Sequence, residues 1–135
     1  GRLAPETAKA YTAQTVLAIE YIHSQGVVHR DIKPENCVIV LKGRLKVTDF
    51  GWAKHLGRNG ETYTLCGTPE YTAPEIISLK GYGKAVDWWS LGILVFEMLA
   101  GHAPFRHQDP LRTYEQILRG IPAFESMAAQ PLFQS

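Results

Sequence analysis

The sequence predicts a mainly α fold with one small β-hairpin. Three observations carry that prediction. Apolar residues recur at helical steps between Pro5 and Ile22, a second stretch from Val86 to Ala100 is apolar on nearly every side, and two β-rich runs flank Lys42-Gly43. The 135 residues suit one ordinary domain, a size that buries about two-thirds of the unfolded surface. Hydrophobic residues make up 45% of the chain, which argues against wholesale disorder.

The elements follow in order. Pro5 suits the first turn of a helix, where its missing N–H would have had no partner. Ala8, Tyr11, Thr15, Ile19 and Ile22 form one apolar stripe, and Gly26 fits the stop. Val27-Val28 reads as a short strand. Val38 to Leu41 and Leu45 to Val47 read as the two arms of the hairpin. Asp49 to about Glu75, rich in Gly and Pro and without a period, reads as a long loop, and loops of that length inside compact domains are usually functional. Val86 to Ala100 predicts a buried central helix. Asp109-Pro110 supplies an N-cap and an N1 proline for a helix through Leu111, Tyr114, Ile117 and Leu118 that Gly120 ends.

Composition excludes several function classes. A net charge of +1 does not suit a protein that acts as a polycation on nucleic acid or anionic lipid. No apolar run approaches the roughly 18 residues of a membrane span, and the first residues lack the charged and apolar regions expected of a signal peptide. Cys37 and Cys66 make neither a disulfide framework nor a metal cluster, so a reduced, intracellular compartment is expected. Gly1 stands where a Met would open a complete chain, and the expectation is a piece cut from something longer.

Two constellations carry chemistry. His29-Arg30-Asp31-Ile32-Lys33-Pro34-Glu35-Asn36 lies in a loop between short strands. Asp31 can accept a hydrogen bond from an attacking hydroxyl, Lys33 can set a cation beside a transferring phosphoryl group, and Asn36 can bind a metal through its amide oxygen. Asp49-Phe50-Gly51 alone is explained as well by a turn. After a hairpin that begins at Asn36, however, Asp49 returns towards Asp31 and Asn36, where two oxygen ligands would converge on Mg2+.

With Ala73-Pro74-Glu75 closing the long loop, these motifs stand in the order of the protein kinase signature, and the chain resembles that family from Gly1 to about Gly120. The resemblance implies a protein-kinase-like fold with only the C-terminal lobe present and the N-terminal lobe absent. It implies a partial kinase domain over residues 1–120 and an off-pattern segment over 121–135. Lys33-Pro34-Glu35-Asn36 is similar to the serine/threonine kinases. Thr64 to Tyr71 and Asp87-Trp88-Trp89 resemble the cyclic-AMP-dependent group of basophilic kinases.

That resemblance implies roles at matching positions. Asp31 would accept or orient the substrate hydroxyl, Lys33 would stabilise the γ-phosphate of ATP, and Thr68 would bridge the two. Asn36 and Asp49 would hold Mg2+, with Val38 beneath the adenine and His29 packed under Phe50. Thr64 would be the activation-loop phosphosite, paired with Arg30 and Lys54; its other reading is an ordinary exposed threonine. Glu35, Glu70 and Glu97 would read basic residues upstream of the target Ser or Thr, although each alone reads as a solvated charge. Asp87 would anchor the catalytic-loop backbone. Cys37 reads as core, Cys66 as a small, partly buried side chain, and His23, His55, His102 and His107 show no ligand spacing.

The implied partners are protein or peptide substrates with upstream basic residues and a cyclic-nucleotide-binding regulatory subunit. The subunit would dock on the activation loop and on the helix that holds Tyr114, with Tyr63 standing where that group usually has Trp. The implied location is cytoplasmic, with the nucleus second. Two functions are therefore expected in turn. One is a serine/threonine kinase that uses ATP and Mg2+. The alternative is a truncated, inactive lobe that binds regulatory subunits or peptide substrates.

Overall fold

The computed structural model describes residues 1–120; the expectation of an off-pattern segment over 121–135 lies outside them. Four helices, α1 (Pro5–Ser24), α2 (Pro74–Ile77), α3 (Ala85–Ala100) and α4 (Pro110–Arg119), are joined by two two-stranded sheets. In one sheet β1 (Val27–Val28) pairs antiparallel with β4 (Lys54–His55), and in the other β2 (Cys37–Val40) pairs antiparallel with β3 (Arg44–Val47).

α3 organises the core because its sequence is apolar all round. Val86 joins Val28, Ala73, Ile76 and Tyr82 in one buried cluster. Ile93 joins Tyr71, Ala103, Phe105 and Ile117 in a second. Leu91 and Leu94 pack with Ile19 of α1 and Ile32 of the loop before β2 in a third. Gly101 closes α3 at φ 85°, a left-handed cap that a Cβ would strain. The predicted stripe on α1 is buried at Ala8, Thr15, Ile19 and Ile22.

Several expectations change. Leu41 is not in a strand: the hairpin turns through Leu41–Gly43, with Lys42 at φ 66° and Gly43 at φ 70°, and the Leu41 side chain is 91% exposed. The stretch from Asp49 to Glu75 is not uniformly loop. It contains β4, a bridge between Thr62 and Tyr82, and a 3₁₀ turn over Pro69–Tyr71. On α4 the Asp109 carboxylate caps the Leu111 N–H at 3.0 Å as predicted, but Leu111 and Leu118 face outward while Thr113 and Ile117 are buried. Trp88 interrupts the burial of α3, its ring set T-shaped to His23 with the ring centres 5.5 Å apart.

Candidate active site

The loop between β1 and β2 is held from below by α3. Asp87, fully buried in its first turn, accepts the backbone N–H groups of His29 and Arg30, each at 2.9 Å. The His23 Nε2–H donates to the same carboxylate at 2.8 Å. His23 is therefore not incidental: it is buried at the end of α1 and completes the anchor. Its partner lies 64 positions away, so no local spacing marks it. Arg30 takes φ 71°, a left-handed backbone for a residue with a Cβ, and the two bonds to Asp87 flank that strain.

The anchored loop presents Asp31 to three side chains. Thr68 Oγ1 donates to Asp31 Oδ1 at 2.9 Å and accepts from Lys33 Nζ at 2.8 Å. Lys33 Nζ also lies 3.7 Å from Asp31 Oδ2. Asn36 Nδ2 donates to the Asp31 carbonyl at 2.9 Å and to Oδ2 at 3.1 Å. The Asn36 amide nitrogen is thus turned to Asp31, which leaves its oxygen as the ligand end.

The hairpin brings the second motif back. Thr48 donates its N–H to the Asn36 carbonyl at 2.8 Å, and the His29 ring bonds the Thr48 carbonyl at 3.0 Å. Asp49, the next residue, is exposed at φ 55°, and its carboxylate accepts the Gly51 N–H at 3.1 Å. His29 meets the edge of Phe50 at a ring separation of 5.0 Å. Asn36 and Asp49 are hard oxygen donors, and the described residues hold no group of three or more His, Cys, Asp or Glu able to bind a metal alone. Such a sparse oxygen set fits Mg2+, which takes one or two protein ligands and completes its shell with phosphate and water. Val38 is half-exposed on β2, opposite Lys46 of β3.

The long loop after Asp49 is tied down around Tyr82. The Arg30 guanidinium donates to the Trp52 carbonyl at 2.6 Å and to the Tyr82 hydroxyl at 3.2 Å, and that hydroxyl donates to the Thr64 carbonyl at 2.5 Å. Cys66 Sγ lies 3.6 Å from the same oxygen, and Cys66 is buried. Lys54 Nζ donates to Thr62 at 3.0 Å. The Thr64 side chain is exposed, with Arg30 one tyrosine away and Lys54 held at Thr62. Tyr82 carried no signal of its own; a lone aromatic after Gly81 reads as core.

Glu35, Glu70 and Glu97 line one cavity of about 190 Å3 together with Tyr71 and Arg106. Burial raises the Glu97 pKa and the Glu35 charge adds to it; Arg106 opposes, Glu70 raises it further, and His102 opposes. The Tyr71 hydroxyl donates to the Glu97 carboxylate. Burial, with Glu35 second, pushes the Cys37 thiol up to about 11, as suits its packing against the Ile19–Leu94 cluster. Tyr114 is half-buried against the Ile93–Ile117 cluster.

The pattern that defines the protein kinase domain matches residues 1–134. The chain is 58% identical over 118 residues to a cAMP-dependent protein kinase catalytic subunit of Dictyostelium discoideum, covering 87% of this chain and 18% of that one. It is 54% identical over 131 residues to the catalytic subunit of Schizosaccharomyces pombe, covering 95% and 25%. It is 49% identical over 130 residues to cAMP-dependent protein kinase type 3 of Saccharomyces cerevisiae, covering 94% and 32%. The chain therefore spans between about a fifth and a third of the length of these relatives. With the anchored Asp31 loop, the Asp49 turn and these matches together, the chain belongs to the protein kinase family and is similar, within it, to the cAMP-dependent catalytic subunits.

Proposed function

We propose that the chain is the helical, C-terminal lobe of a serine/threonine kinase that transfers the γ-phosphoryl group of ATP to Ser or Thr in arginine-rich peptides. The single observation that carries this reading is the bonded set of Asp31, Lys33, Thr68 and Asn36. Phosphoryl transfer passes through a loose transition state, so positioning and charge do most of the catalysis. Asp31 Oδ1 and Oδ2, already fixed by Thr68 and Asn36, orient the attacking hydroxyl and receive its proton. Lys33 brings its ammonium to the phosphoryl oxygens. Mg2+, held by Asn36 and Asp49, would neutralise phosphate charge, and Val38 would support the adenine.

The three glutamates of one cavity support arginine as the recognised residue, because carboxylate–guanidinium pairs are charge-assisted and bidentate. Phosphorylated Thr64 would draw Arg30 from the Tyr82 hydroxyl and Lys54 from Thr62, bridging the segment to the catalytic loop. Similarity to the named relatives supports a cyclic-nucleotide-binding regulatory subunit as partner, docking near Tyr63 and on α4 at Tyr114; the location proposed with it is the cytoplasm, with the nucleus second. Phosphoryl transfer to an arginine-rich serine peptide, compared between the full-length kinase that contains this lobe and its Asp49→Ala variant, tests the reading. Loss in the variant supports it; equal transfer contradicts it.

A further inference from the structure

The acidic cavity shares a wall with a larger one of opposite charge. The second cavity, about 500 Å3, is lined by His102, Ala103, Phe105, Arg106, Gln116 and Arg119 among others, and among the described residues no carboxylate lines it. Ala103 and Arg106 belong to both cavities. The Arg106 backbone N–H donates to Gln116 Oε1 at 3.2 Å, which ties the segment after α3 to α4 and leaves the Gln116 amide nitrogen as a further donor. The His102 Nδ1–H donates to the Ala103 carbonyl at 3.0 Å.

Two arginines, Arg106 and Arg119, thus line one cleft whose described lining residues include no carboxylate. Among the described residues, the ion pairs within 4.0 Å are His23–Asp87 and Lys33–Asp31, and neither Arg106 nor Arg119 has one. Guanidinium is the side chain best shaped to receive a carboxylate, through two parallel N–H donors. The two cavities also sense each other: Arg106 and His102 act on Glu97 in the direction opposite to its burial.

We propose that the basic cavity is a substrate subsite for an acidic side chain, so that the preferred peptide carries a carboxylate flanking the arginine read by Glu35, Glu70 and Glu97. The anion comes from the same peptide because Arg106 stands on the shared wall, within reach of both cavities. Arg106 then sets specificity twice. It receives the acidic side chain, and it repels a second arginine from the acidic cavity. The inference rests on the reading of that acidic cavity as the arginine site.

Fluorescence anisotropy of labelled peptides on the full-length kinase that contains this lobe tests it without relying on turnover. Glu or Gln is scanned through the positions flanking the arginine of a serine peptide. At one position Glu is expected to bind about tenfold tighter than Gln, the worth of one charge-assisted pair, and Arg106→Gln with Arg119→Gln is expected to abolish the difference. Both arginines are exposed, so the variants keep the fold. Arg106→Gln alone is expected to tighten the Gln peptide by relieving repulsion. No Glu advantage at any position, or an advantage that survives the double substitution, overturns the proposal. An Arg→Ala peptide run alongside reports separately on the acidic cavity: equal binding of the Arg and Ala peptides overturns the arginine reading, whatever the Glu-to-Gln ratio.

Discussion

Thr68 Oγ1 donates to Asp31 Oδ1 at 2.9 Å across 37 positions of sequence. The same oxygen receives Lys33, so one hydroxyl orders a carboxylate and an ammonium whose direct side-chain contact is a loose 3.7 Å ion pair. Thr68→Ala removes both bonds. Hydrogen bonds to charged groups contribute about 1.5–3 kcal/mol, so kcat is expected to fall by about 10- to 100-fold with KM for ATP little changed. Thr68→Ser keeps the hydroxyl and is expected to restore most of the rate; steady-state kinetics on the three proteins checks this.

Asp87 is the foundation of the loop that carries Asp31. Asp87→Ala strips acceptors from the His29 and Arg30 N–H groups and from His23 at a fully buried position. Loss of one member of a buried charged network costs about 3–5 kcal/mol, and urea denaturation is expected to show a destabilisation of that size.

Gly67 is constrained by the same loop. Its φ is 97°, and an added Cβ would lie 2.8 Å from the Arg30 carbonyl oxygen. Gly67→Ala therefore combines backbone strain with a clash against backbone that cannot turn aside, for about 1–3 kcal/mol. Limited proteolysis is expected to cut the variant faster between Glu61 and Thr68, with Gly57→Ala, which meets nothing within 4 Å, as the control.

Glu97 links specificity to pH. Its pKa is raised in the fold, chiefly by burial. A raised folded-state pKa contributes stability below the unfolded value, and that contribution is lost as pH rises through the folded one. At neutral pH the ionised Glu97 is thus a small liability to the fold, and Glu97→Gln is expected to stabilise the chain by no more than about 1 kcal/mol, given its partial exposure. Binding of an arginine peptide needs the ionised form. Affinity is expected to fall on acidification already above the ordinary glutamate range, and to become flat with pH across that interval in Glu97→Gln.

Much of the site was legible because its residues are close in sequence. Asp31, Lys33, Glu35 and Asn36 sit within six positions, and the hairpin returning Asp49 follows from Lys42-Gly43 between two β-rich runs. The α1 stripe and the all-round apolar α3 were equally plain, since periodicity is a local signal. What escaped depends on distant partners. β4 is two residues long and acquires its identity from Val27 and Val28. His23 means nothing without Asp87, nor Tyr82 without Arg30 and Thr64. Leu41 left its strand because the turn takes three residues with two left-handed conformations, not two. Leu111 and Leu118 follow a helical period yet face outward, since the core contact of α4 is made by Thr113 and Ile117.

The most direct measurement is the single-turnover rate of phosphoryl transfer from ATP to an arginine-containing serine peptide, with nucleotide affinity measured in parallel, for the full-length kinase that contains this lobe and its Asp31→Asn variant. A positioned proton acceptor contributes about 10²-fold or more. The expected result is a fall of at least that size with ATP affinity unchanged. An unchanged transfer rate, or a loss that merely follows loss of nucleotide binding, would contradict a catalytic Asp31.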